Sequence, residues 1–204
     1  MTAIESLTLE ASDATATEAF YKEAFELGDT IKVRESHEPT SGFRGFTVSL
    51  VVAQPSTVDS LVQSALGAGA TELKPVRKSF WGYGGVVQAP DGTIWKIATS
   101  AKKDSGPATR AVDEVVLLLG VEDVKATKQF YVDRGLVVGK SFGSKYVEFE
   151  TAGSPVKLAL YTRRAAAKDA GVDPTGTGSH RVAVHGDAGP FSDPDGFEWE
   201  AAPA

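Results

Sequence analysis

The sequence predicts an α+β fold built twice over. Two observations lead there. A strand, Asp, helix, strand run near residue 4 recurs near residue 113. Asp13 and Phe20–Tyr21 return as Asp123 and Phe130–Tyr131, at an offset of 110 residues. A Pro-Asp-Gly turn followed by Trp also occurs twice, as APDGTIW at 89–95 and DPDGFEW at 193–199, at an offset of 104 residues. Landmarks that recur in one order at nearly one offset mark an internal duplication.

The first half opens with IESLTLEA at 4–11, whose apolar and polar residues alternate as in a half-buried strand. Asp13 stands where a helix cap belongs. Ala16, Phe20, Ala24 and Leu27 then follow at helical spacing, and Gly28 can end the helix. TIKVRE at 30–35 and FTVSLVVA at 46–53 read as strands. STVDSLVQSALGAGA at 56–70 reads as an amphipathic helix, TELKPV at 71–76 as a strand, and GGVVQAPDGTIWKIA at 84–98 as a closing hairpin. The polar, Gly/Pro-containing stretch 99–111 is the natural linker. It sets the halves at 1–103 and 109–204.

The second half restarts with DEVVLLLGV at 113–121 as a strand and Asp123 as cap. The helix over Ala126–Asp133 ends at Gly135, and strands follow at 136–142, 145–151 and 156–162. A short helix near 163–170 leads into the Gly/Pro-rich loop 171–179, and HRVAVHG at 180–186 runs almost directly into the last hairpin. No room remains for another helix. The last module is therefore short, and an open sheet would leave edges and an apolar face exposed. The halves are expected to share a sheet or core, or a second subunit to complete it as a homodimer.

The bulk composition is that of an ordinary soluble domain, with 42% hydrophobic and 24% charged residues. A net charge of −6 argues against nucleic-acid or anionic-membrane partners, which need a basic surface. The longest apolar run, VVLLLGV at 115–121, has the length of a buried strand and not of a membrane span. The N-terminus lacks the basic start and apolar stretch of a signal peptide, so a cytoplasmic location is expected. With no Cys there is no disulfide, thiolate nucleophile or Cys-type zinc site. The chain holds no Gly-x-Gly-x-x-Gly, phosphate-binding loop or Gly-x-Ser-x-Gly elbow. Ser192 has no His or acid at motif spacing.

DATATEAFY (13–21), DVKATKQFY (123–131), QAPDGTIWKI (88–97), GSHRVAV (178–184) and SDPDGFEWEA (192–201) together span nearly the whole chain. Their order resembles the glyoxalase/bleomycin-resistance/dioxygenase superfamily, the vicinal oxygen chelate fold. The resemblance implies tandem βαβββ-type modules whose curved mixed sheets form a cleft. It leaves the activity open, because the superfamily includes lyases, isomerases, dioxygenases, epimerases and drug-binding proteins without catalysis.

Metal-dependent members place a His or Gln in a module's first strand and a Glu in its closing strand. On that resemblance the first-strand positions fall on Ser6 and Val116, the closing-strand positions on Lys96 and Glu200, and a further module start on His180. Val binds no metal and a neutral Ser is a poor ligand. The leading expectation is therefore a cleft that binds a small planar or apolar organic molecule with no cofactor. The alternative is one divalent metal held by His180 and Glu200 in a lyase or dioxygenase. Metal-free acid–base work by either residue is a third reading.

The candidate ligand-binding residues are Ser6, Trp81, Tyr83, Lys96, His180 and Glu200. Trp81 and Tyr83 enter through FWGYGG at 80–85, an aromatic and glycine stretch able to stack a flat ligand or to make a tight core corner. His180 and Glu200 also fit exposed strand ends. His37 reads as a loop residue, His185 as part of a turn, and the Phe-Tyr pairs as core. If the two halves face each other, Lys96 and Glu200 meet as an ion pair where a metal would stand. If they pair otherwise, both side chains lie in solvent.

Overall fold

The structure, a computed structural model, describes residues 2–80, 82–150 and 153–201. The first stretch runs β1 (Ile4–Ala11), α1 (Ala14–Ala24), β2 (Ile31–Glu35), β3 (Thr40–Gly42), β4 (Phe46–Val51), α2 (Pro55–Gly67), β5 (Thr71–Ser79), β6 (Gly82–Gln88) and β7 (Ile94–Thr99). After the linker come β8 (Glu114–Val121), α3 (Val124–Val132), β9 (Val137–Phe142), β10 (Tyr146–Glu150), β11 (Val156–Thr162) and α4 (Arg163–Ala170). The chain closes with β12 (Gly176–Gly178), β13 (Val182–Gly186), β14 (Phe191–Ser192) and β15 (Glu198–Glu200).

Both expected caps form. The Asp13 carboxylate accepts from the Ala16 N–H at 2.9 Å, and that of Asp123 from Lys125 and Ala126 at 2.8 and 3.1 Å. Helix α1 stops three residues short of Leu27, because Glu26 turns to a φ of 55° and gives its N–H to the Tyr21 carbonyl.

An eight-stranded sheet has the order β5-β6-β7-β4-β8-β11-β10-β9. It contains two complete strand–helix–three-strand units, β4 to β7 with α2 and β8 to β11 with α3. In each, the first strand lies parallel to the last, and the units meet at the antiparallel pair β4–β8. A five-stranded sheet, β14-β15-β13-β1-β2, repeats this plan with strands left out. Here β1 and β13 are the antiparallel centre, flanked by their parallel partners β2 and β15. Both sheets take strands from either side of the linker. A two-stranded pair, β3–β12, ties residues 40–42 to 176–178. Its Gly-rich segments carry no hydrophobic alternation, so the sequence gives no hint of it.

One buried cluster joins the facing sides of the two sheets and the helices between them. It includes Leu7, Leu9, Val184 and Trp199 from the smaller sheet, and Leu50, Trp95, Leu117 and Leu160 from the larger one. The recurrent turns are anchors within it. Tyr21 of α1 donates its hydroxyl proton to Asp91 at 2.9 Å, beside the buried Trp95. Tyr131 of α3 donates to Asp193 at 2.7 Å and receives the Trp199 indole N–H at 3.2 Å. Each helix thus fastens to a turn that feeds the other sheet. Burial first, and the aspartate beside each second, raise both phenol pKa values.

A second, smaller cluster lies on the opposite side of the eight-stranded sheet. Ala166, Ala167 and Ala170 of α4 pack there on Val86, Ile94, Leu118 and Ala159. Strand alternation sends Leu118 to this side and its neighbours Leu117 and Leu119 to the main core. The helix sits close because Gly120 has no side chain: a Cβ there would stand 3.0 Å from both the Ala166 Cβ and the Gly45 carbonyl. Arg163 fastens the helix start by donating to the Pro174 and Phe43 carbonyls at 2.9 and 2.5 Å. No helix among the described residues is long and apolar enough to cross a membrane.

Candidate functional site

The α4 side of the eight-stranded sheet presents residues in cross-strand rows. Registers place Lys74, Val86, Lys96, Ser49, Val116 and Lys157 side by side across β5, β6, β7, β4, β8 and β11. The next row reads Arg77, Gly84, Ala98, Val51 and Glu114. Lys74 and Arg77 share a side only because the register of β5 shifts between them. Three residues on β5 span two on β6, which is a β-bulge, and Pro75 is tolerated there because β5 is an edge strand.

Over these rows, beside Asp169 of α4, lies a cavity of about 400 Å³ whose lining includes Val51, Lys74, Arg77, Gly84, Lys96 and Ala98. Its floor is nearly bare. A Cβ on Gly84 would come within 2.7 Å of the Ile97 carbonyl and 2.9 Å of the Ala98 Cβ, so only glycine fits. Lys96 pairs with Asp169 of α4 at 2.7 Å, and the Lys74 ammonium donates to the Lys168 and Asp169 carbonyls at the helix end, each at 2.7 Å. Burial lowers the Lys74 pKa; Asp169 pulls it up, and Lys96, Arg77 and Lys168 push it further down. Arg77 is exposed and has no hydrogen-bond or ion-pair partner among the described residues.

The exposed side of the five-stranded sheet is polar but paired within itself. Arg34 donates to both oxygens of Glu200 at 2.9 and 3.3 Å and to Glu10 at 2.6 Å. His185 is buried in β13 and its Nε2 meets the Thr8 hydroxyl at 2.7 Å, with Glu200 at 3.9 Å. This corrects its reading as a turn residue. The Ser6 hydroxyl is buried beside it with no hydrogen-bond partner among the described residues. His180 sets Nδ1 2.5 Å from the Arg44 carbonyl and Nε2 3.0 Å from the Asp195 carbonyl, of which a neutral ring can donate to one, and stacks 3.9 Å from the Phe197 ring.

The six sequence candidates thus fall in different places. Lys96 lines the slot beside α4. Tyr83 also borders the slot, while its ring packs on the main core and its hydroxyl donates to Asp59 of α2 at 2.8 Å. Ser6 and Glu200 belong to the smaller sheet, His180 bridges two loops, and Trp81 lies outside the described residues. The meeting of Lys96 and Glu200 does not occur. Each closing strand joins its own sheet, so Lys96 finds Asp169 and Glu200 finds Arg34. Lys74, Arg77 and Asp169 were missed. The signal was the Pro75 inside a strand-like run, which marks a bulge.

No protein-family model matches the sequence, and no curated protein does. Solved structures do match. Glyoxalase I from Zea mays aligns with 98% of this chain and 91% of its own, at 13% identity and a TM-score of 0.63. The chain has the vicinal oxygen chelate fold. A glyoxalase/bleomycin resistance protein/dioxygenase family enzyme from Burkholderia phytofirmans PsJN aligns with 46% of this chain and 95% of its own, at 22% identity and a TM-score of 0.42.

The vicinal oxygen chelate fold implies a metal for some of its members, and the residues here do not fit one. In the eight-stranded sheet the central row offers Lys96, Ser49, Val116 and Lys157: two cations, a neutral hydroxyl and a methyl pair. In the smaller sheet Glu200 and His185 are adjacent, yet a guanidinium already holds the carboxylate and Thr8 holds the imidazole. Among the described residues no three His, Asp or Glu side chains gather as a metal site.

The Lys96–Asp169 pair is about one-third exposed on each side, at 36% and 35%. Its double-mutant cycle, Lys96→Met with Asp169→Asn, is expected to show a coupling of ~0.5 kcal/mol in thermal unfolding. The cycle of Lys96→Met with Glu200→Gln is expected to be additive.

Proposed function

We propose that this chain binds a small organic molecule, without a metal ion, in the slot between α4 and the sheet formed by β5, β6, β7 and β4. The observation that carries the reading is the pairing of a bare floor, Gly84 and Ala98, with side chains at the metal positions that repel a cation. A flat molecule fits such a floor because strands stand about 4.8 Å apart, so Gly84, Ala98 and Val51 together make a strip about 10 Å wide. Val86 and Val51 supply apolar contact, and the charged groups at the rim supply orientation. The polar hollow on the smaller sheet is a weaker candidate, because its carboxylates and guanidinium satisfy one another.

The slot lies on the side of the sheet away from the main core. Its lining comes from β4 to β7, and Asp169 of α4 closes one side of it. The reading is tested by elemental analysis of protein purified without chelator. No stoichiometric divalent metal is expected, and EDTA treatment should leave the unfolding temperature unchanged. One zinc, nickel, iron or manganese per chain, lost in His180→Ala or Glu200→Gln, would overturn it in favour of a metal enzyme.

A further inference from the structure

We infer that the ligand of this slot is an organic anion, a flat body bearing a carboxylate, with the carboxylate seated between Arg77 and Lys96. This rests on the slot being the binding site and adds the chemical class. Three observations carry it. The slot is lined by three cations, Lys74, Arg77 and Lys96, against one carboxylate, Asp169, in a chain whose net charge is −6. A local excess of positive charge on an acidic protein draws anions to that spot. The register shift in β5 brings Lys74 and Arg77 to the same side, where unbroken alternation would send them apart.

The third observation concerns which cations are free. Lys74 is committed to the carbonyls that end α4, and Lys96 to Asp169. Arg77 is committed to nothing among the described residues, and it stands directly across from Gly84 at the edge of the bare floor. A guanidinium offers two parallel N–H donors that match a carboxylate. A planar body lying over Gly84 and Ala98 would carry its carboxylate to Arg77 on one side, within reach of the Lys96 ammonium in the adjoining row. Asp169 holds the Lys96 ammonium in place until the ligand shares it.

The test uses the full chain and two probes of one shape, 2-naphthoate and 2-naphthamide, titrated while amide resonances are followed by NMR. Naphthoate is expected to shift Gly84, Gly85 and Ala98 and to bind about tenfold more tightly than naphthamide, as for a charge-assisted bidentate contact. Arg77→Gln should remove that preference, and Lys125→Gln, an exposed cation on α3, should keep it. Equal binding of the two probes at Gly84 and Ala98 would overturn the anion and leave the slot standing. If neither probe shifts those residues, or both shift the surroundings of Glu200 instead, the slot falls together with the anion.

Discussion

Residues 109–204 expressed alone are expected to give no cooperative unfolding transition. In the intact chain β8 pairs with β4 over six registered positions, and β13 pairs with β1 over five. Removing the first half turns both central strands into edges. It also uncovers Val184 and Trp199 on one sheet and Leu117 and Leu119 on the other, all buried in one cluster with residues of the first half. Exposed strand edges and apolar faces favour association over folding. The check is thermal or urea unfolding of the monomeric fragment by circular dichroism. A sharp transition with native-like near-ultraviolet signal would show instead that the second half is a domain in its own right.

Asp193→Ala is expected to destabilise the protein by ~3 kcal/mol, read from urea unfolding. The Asp193 carboxylate is 5% exposed and serves three donors. One oxygen accepts from the Asp195 and Phe197 N–H groups, both at 2.9 Å, and the other from the Tyr131 hydroxyl at 2.7 Å. Alanine would leave the buried Tyr131 hydroxyl and Phe197 N–H, and the half-buried Asp195 N–H, without that acceptor. Burial raises the Asp193 pKa even though Tyr131 and the backbone donors pull it down. Asp91→Ala should cost less, ~1–2 kcal/mol, because the corresponding turn is partly open to water, which can replace the lost acceptor. Equal losses at the two sites would contradict the difference in burial.

The parts of the fold written in local chemistry were legible in the sequence. Asp13 and Asp123 announce helix starts, the alternation at 4–11 and the apolar run at 115–121 announce the central strands, and the two Pro-Asp-Gly turns announce the closing hairpins. What those landmarks do not reveal is which strand pairs with which. Helix–turn bonds such as Tyr21 with Asp91 cross from one sheet to the other, and no local pattern encodes that. For the same reason Lys96 and Glu200 look like counterparts along the chain while standing on different sheets.

The candidate site was less legible still. Lys96 was recognisable because the closing strand fixes its direction. Arg77 and Lys74 were hidden by the bulge in β5, since unbroken alternation puts them on opposite sides. Tyr83 borders the slot, while its hydroxyl turns away to Asp59 on α2. His180 looked like a ligand, and the loops around it close on its ring with a carbonyl beside each nitrogen.

The central claim, a metal-free slot over Gly84 and Ala98, is most directly tested by a small-molecule fragment titration of EDTA-treated protein beside its Ala98→Phe variant, followed by NMR. A phenyl group at position 98 would lie across the floor of a cavity of about 400 Å³ and fill much of it. The account expects fragments to shift Gly84, Lys96 and Ala98 in the native protein, and the folded variant, checked by its dispersed spectrum, to lose those shifts. Fragments that bind the variant as well as the native protein, or that bind only after zinc is added, would contradict it.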